Sequence, residues 1–187
     1  MMKKMILLVA LAAMSTGVFA QNFDYGIKGG LNFSNITDSD WDMKAGFHLG
    51  AFAEFKISDY FGIQPEFVYS RQGAFVKEDG WKYWARFNYI NIPVLAKIYI
   101  AERLSVNVGP QFGLLLNSKM KAKNGGDSGK TDIDGTKSFD VSFGMGLSYN
   151  LDYNWFIDAR YNLGLTDMSK NGDGKNSVIQ VGVGYRF

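Results

Sequence analysis

The sequence contains no cysteine and only one histidine, His48, in 187 residues. Without cysteine there is no disulfide framework, and no lipid-bearing cysteine can follow an export signal. One histidine and no thiol exclude the usual zinc sites, which gather several such ligands. No metal or other cofactor is expected. Neither sign of charge dominates: 20 Lys and Arg stand against 18 Asp and Glu. A near-neutral chain with no basic cluster is expected to give nucleic acid no electrostatic footprint. Proline is scarce at three residues, and no run after residue 20 is long and apolar enough for a transmembrane helix.

The one long apolar run, Met5 to Met14, falls short of the ~20 residues a helical span needs. It follows Lys3 and Lys4 and precedes Val18-Phe19-Ala20, small or aliphatic at the −3 and −1 positions before Gln21. That is the layout of a secretory signal peptide. Two units are therefore expected: a leader over 1–20 and one domain over 21–187. Losing Lys3 and Lys4 would bring the formal charge from +2 to 0.

The remainder is rich in glycine, 22 residues, and in aromatics, 16%. Its dominant pattern has period two, the mark of strands with two unlike faces. Ile179, Val181, Val183, Tyr185 and Phe187 alternate with Gln180, Gly182, Gly184 and Arg186. Trp155, Ile157, Ala159, Tyr161 and Leu163 likewise alternate with Phe156, Asp158, Arg160 and Asn162. Similar stretches lie near 23–34, 45–57, 61–72, 88–100, 104–117 and 139–149, giving eight strands. Three connections are tight, at 58–60, 101–103 and 151–153. They alternate with longer polar ones near 35–43, 73–82, 118–137 and 166–176. Short turns at one end and long loops at the other predict an all-β fold: an eight-stranded antiparallel up-and-down transmembrane β-barrel with short periplasmic turns and longer extracellular loops.

Alternation alone also fits a soluble lipocalin-like barrel with the apolar face inside. Aromatics at the strand ends favour lipid. Phe55, Phe61, Tyr149, Trp155 and Phe187 would form a periplasmic belt, and Phe33, Phe47, Tyr69, Phe139 and Tyr161 an outer one. The opposite face is mostly Gly, Ser, Asn and Gln, poorer in Lys and Glu than a soluble exterior. Pro93 removes a donor from a ladder without edges, so a bulge or a water-satisfied carbonyl is expected beside it.

Several stretches together resemble a known family: Gly29-Gly30-Leu31-Asn32-Phe33-Ser34-Asn35, Gln64-Pro65-Glu66-Phe67-Val68-Tyr69-Ser70, Tyr89-Ile90-Asn91-Ile92-Pro93-Val94-Leu95-Ala96-Lys97, Gly109-Pro110-Gln111-Phe112-Gly113 and Arg160-Tyr161-Asn162-Leu163-Gly164-Leu165-Thr166. The chain resembles the outer-membrane β-barrel family common in Bacteroidota, called PorT-family or porin-family proteins. The resemblance implies the fold and the bacterial outer membrane, with outer-membrane lipid as its surroundings, but no particular activity. The terminal Tyr185 and Phe187 resemble the aromatic signal read by the barrel-assembly machinery, an expected partner during biogenesis.

Inward positions carry Lys28, Lys97, Arg160 and Arg186 with Glu54, Glu66, Asp140 and Asp158, together with His48. An eight-stranded interior is just wide enough for side chains to fill it, so these residues are expected to form a polar plug. The alternative is a narrow channel, with Glu66 and Arg160 as its principal members. A lipid-modifying enzyme would need His48, a serine such as Ser34 and a carboxylate to converge. No motif fixes that convergence, and a non-enzymatic structural, adhesive or partner-binding role is expected. Asp132-Ile133-Asp134-Gly135 and Asn171-Gly172-Asp173-Gly174 resemble pieces of calcium loops but lack the closing glutamate. Trp41, Trp81 and Trp84 fall near the outer loops, where they can anchor at headgroups or meet an envelope protein or extracellular ligand.

Overall fold

A computed structural model describes residues 23–37, 42–78, 81–124, 127–132, 136–167 and 174–187. The expected leader, Trp41 and most of both calcium-like fragments lie outside these residues. Among the described residues there are nine strands: β1 Phe23–Ile36, β2 Asp42–Ser58, β3 Phe61–Glu78, β4 Trp81–Tyr99, β5 Leu104–Asn124, β6 Asp127–Asp132, β7 Phe139–Asn150, β8 Trp155–Asp167 and β9 Lys175–Arg186. Eight of them form a closed antiparallel ring in the order β4-β3-β2-β1-β9-β8-β7-β5, with β5 returning to β4. First and last strands pair over Gly26↔Arg186 to Ile36↔Asn176. Closure leaves no edge in the ring, as a hydrocarbon environment demands of backbone polar groups. Strand β6 pairs with β5 alone and extends its hairpin.

The alternation becomes an inside and an outside. In β8 every second residue from Phe156 to Gly164 is buried and the intervening ones are exposed. Leu49, Phe67 and Met145 are 61%, 58% and 58% exposed. So large an apolar surface is stable only against lipid. Around the periplasmic end the aromatics touch in sequence. Ring centroids lie 5.1 Å apart for Phe55 and Phe23, 5.9 Å for Phe23 and Tyr25, and 5.5 Å for Tyr25 and Phe187. Tyr185 and Trp155 continue this belt at 5.5 and 4.9 Å. The outer belt includes Phe47 with Tyr69 and Phe112 with Phe139, at 5.9 and 6.4 Å.

The three tight turns stand where expected. In the last, the Asp152 carboxylate accepts the backbone N–H groups of Asn154 and Trp155 at 2.8 and 2.7 Å. Those bonds hold its carboxyl below the usual carboxylate range.

Two expected loops are instead largely strand. Around 73–82, β3 and β4 run on to Glu78 and Trp81, and beyond 117 strand β5 continues to Asn124. Strands β3, β4 and β5 have 18, 19 and 21 residues, against 12 to 14 in β1, β7, β8 and β9. A tilted span needs only ~9–11 residues. The excess rises as a flange on the extracellular side. Its two faces are not divided between lipid and lumen, so the apolar alternation fades while the backbone ladder persists.

At Pro93 the bulge expected as one of two alternatives does not occur. Pairing lapses after Pro93↔Gln111 and resumes at Ala96↔Val108 in the same register. The β4–β5 irregularity lies instead between Asn88 and Tyr89. A skipped bridge suffices at Pro93, without the extra residue of a bulge. Strand β2 has a larger fault between Met43 and His48. Side chains of β1 stitch it to β3. Asn32 Nδ2 donates to the carbonyls of Phe47 and Arg71 at 3.0 and 3.1 Å, and Ser34 Oγ bonds both the N–H and the carbonyl of Gly73 at 2.8 and 2.7 Å.

Candidate functional site

The barrel interior is layered from the periplasmic end outward. Lowest are Phe52 and Phe156, buried edge to face at 5.3 Å. Gly26 and Gly184 make room for them. A Cβ on Gly184 would stand 2.1 Å from the Phe156 ring, and one on Gly26 2.8 Å from that of Phe52. Lys97 and Arg186 lie 5.8 and 5.7 Å from the Phe156 centroid. The ring face thus helps hold two cations where water is scarce.

The charges form two groups. In one, Lys97 Nζ meets Glu54 at 2.8 Å and Gln64 Oε1 at 3.1 Å, with Arg186 3.8 Å from Glu54 and 3.6 Å from Asp24. In the other, Arg160 grips Glu66 through two bonds of 2.9 and 2.7 Å, and Gln64 Nε2 donates to Glu66 at 2.8 Å. Lys28 bridges Asp158 at 2.8 Å and Glu66 at 3.6 Å. A two-pronged guanidinium–carboxylate pair is the strongest geometry these groups have. Asp140 stands apart. It accepts a 2.7 Å bond from Thr166 and forms no ion pair among the described residues.

Above the charges lie amides and hydroxyls. His48 Nδ1 and Gln180 Nε2 meet Asn32 Oδ1 at 2.8 and 3.0 Å, while Asn162 donates to Gln180 at 2.9 Å. Ser34 is committed to the Gly73 backbone, and no hydrogen bond joins it to His48. At the extracellular mouth Ala85, Phe87 and Tyr89 form an apolar cluster with Ile36 and Leu115. The sequence reading did not identify this cap. Its one signal was the odd-numbered run Ala85, Phe87, Tyr89, which begins between the expected loop at 73–82 and the expected strand at 88–100.

Tyr185 and Phe187 sit in the periplasmic aromatic belt, outside the lumen. Of the outer tryptophans, Trp81 stacks on Tyr83 at 6.3 Å and Trp84 lines a basic cleft on the flange.

A curated relative, the attachment invasion locus protein of Yersinia pseudotuberculosis, is 28% identical over 185 residues, covering 97% of this chain and 93% of the relative. Among solved structures, the crystal structure of Ail, the attachment invasion locus protein of Yersinia pestis, is similar. It has a TM-score of 0.55 at 22% identity, covering 89% of this chain and 100% of that one. Neisserial surface protein A gives 0.52 at 15% identity, covering 88% and 97%. These likenesses support the barrel fold. The profile of the outer membrane protein beta-barrel domain family matches residues 19–170, most of the length, and this bacterial outer-membrane chain belongs to that family.

Proposed function

We propose that this barrel is a closed-lumen display scaffold whose extracellular flange attaches to a partner outside the cell, with no catalytic role. The observation that carries the reading is the contrast between an interior filled from Phe52 to Tyr89 and a flange of three overlong strands extended by β6. Attachment is the role named in the 28% identical relative, which supports the same reading here. Residues 1–20 act as the export leader, and Tyr185 and Phe187 as the signal to the assembly machinery. The stretches Gly29–Asn35 and Tyr89–Lys97 favour placement near the PorT-like branch of small barrels.

A narrow channel is the second reading. It draws on buried polar atoms without a protein partner, including His48 Nε2 and Asp158 Oδ1. Planar-bilayer recording of the refolded barrel separates the two. A folded barrel without conductance is the expected result, and uniform single-channel steps would overturn the closed lumen. For attachment, replacing residues 118–137 with a short turn should abolish adhesion of an otherwise non-adherent bacterium carrying the barrel. Undiminished adhesion would refute the role given to the flange.

A further inference from the structure

The outward face of the flange gathers cations that the lumen does not use. Arg86 and Trp84 of β4 alternate with the inward Ala85 and Phe87, and Arg86 is exposed. Arg86 pairs across the ladder with Lys119, and Trp84 with Lys121. Like charges directly opposite one another weaken a sheet, yet Arg86 and Lys119 stand opposite on one rung, with Lys121 one outward position beyond. None of the ion pairs among the described residues uses Arg71, Arg86, Lys119 or Lys121. Asp132 of β6 is in register with Lys119.

Lys44 of β2 joins them by an unusual route. Its side chain crosses Gly73 to donate to the Ala85 carbonyl at 2.6 Å. A Cβ on Gly73 would lie 3.0 Å from the Lys44 nitrogen, so glycine keeps the passage open. Lys44, Trp84, Arg86, Lys119, Met120 and Lys121 line a cleft of about 310 Å³. Burial, reinforced by Arg86 and Arg71, lowers the Lys44 pKa to about 8. The cation is held there against its own electrostatics, as a site awaiting an anion would hold it.

The height of the cleft identifies the anion. Ile90 pairs with Tyr69 of the outer belt. Arg86 is four residues farther out, ~13 Å along the strand and roughly 10 Å along the normal at the usual barrel tilt. Arg71, whose guanidinium lies 6.0 Å from the Phe47 ring, sits at about half that height. The cations therefore climb through and just beyond the ~5–7 Å headgroup layer.

We propose that Lys44, Arg86 and Lys119, with Arg71 below and Lys121 above, bind the phosphate groups of a phosphorylated saccharide lipid in the outer leaflet. Phosphate suits this site because its oxygens accept from guanidinium and ammonium groups together. The Trp84 ring can cover the sugar face. This site does not depend on the attachment role.

The test uses the mature barrel in zwitterionic phospholipid nanodiscs, with unfolding followed by heat-modifiable gel mobility. Adding phosphorylated lipid A should raise the unfolding midpoint by several degrees, and dephosphorylated lipid A should not. Arg86→Gln with Lys119→Gln should remove at least half of that rise. The charge-preserving pair Arg86→Lys with Lys119→Arg should retain it, as should Lys137→Gln with Lys175→Gln elsewhere on the rim. An undiminished rise in the neutralised variant, or an equal response to the dephosphorylated lipid, overturns the proposal. Stabilisation by soluble sucrose octasulfate without any response to phosphorylated lipid would overturn the lipid source.

Discussion

The lumen and the flange treat the same kinds of side chain in opposite ways. Inside, Lys28, Lys97, Arg160 and Arg186 each lie within 3.8 Å of a carboxylate. On the flange, Arg86 faces Lys119, and their neighbours are also basic. Burial explains the difference. A charge removed from water is tolerable only beside its opposite, whereas an exposed cation is held by solvent and can wait for a partner. Charge pairing of the cations thus follows enclosure: each of the four in the lumen meets a carboxylate, whereas Arg86 and Lys119 form no ion pair among the described residues.

If that contrast is right, the largest effect belongs to Glu66→Ala. It strands Arg160 and removes one of the two carboxylates beside Lys28, and should cost about 3–5 kcal/mol in reversible urea unfolding. Glu66→Ala combined with Arg160→Ala should cost clearly less than the sum of the two single changes, because the second removes a charge already orphaned. An additive result would mean the pair is solvated and the lumen wetter than its packing implies.

Steric changes should divide the two regions in the same way. Gly184→Val places methyls into the Phe156 ring and should cost about 1–3 kcal/mol in the same assay. On the flange, a Cβ at Gly129 meets nothing within 4 Å. Gly129→Ala should therefore leave the unfolding midpoint unchanged or slightly raised, since alanine loses less backbone freedom on folding.

Arg86→Gln in plain phospholipid should alter stability by only about 0.5 kcal/mol, and in the favourable direction, because it relieves a like-charge pairing. A loss as large as that of Glu66→Ala would erase the distinction between the regions. A separate effect follows pH. Lys44 lies three residues beyond Phe47 of the outer belt, and its pKa is about 8 in the folded barrel against an ordinary 10.5. Below pH 8 both states are charged and the folded state bears the whole burial penalty. Between 8 and 10.5 the folded state alone releases its proton, so stability should rise with pH. Lys44→Met should lack that rise when unfolding midpoints are compared at pH 7.5 and 9.5.

The ring was legible because lipid and lumen impose opposite demands on alternate residues, and Trp155 to Leu163 satisfies both without a break. The flange was not, because residues 73–78, 81–88 and 118–124 are strands without that division of faces. Its cations were also overlooked as a cluster. Lys119, Lys121 and Lys123 alternate visibly, but Lys44, Arg71 and Arg86 come from three other strand segments and meet only when β2, β3 and β4 lie side by side. The same limit applied inside. Asp140 has the inward parity of Asp158, yet it bonds Thr166 rather than a cation.

The sequence by itself determined which residues turn inward and which turn toward lipid, because strand geometry fixes a period of two whatever the neighbours are. Only the tertiary structure decided which inward charges meet, where the lumen is capped and where cations collect. Those depend on the stagger between strands, and stagger is set by the closure of the whole ring rather than by any one segment of the chain.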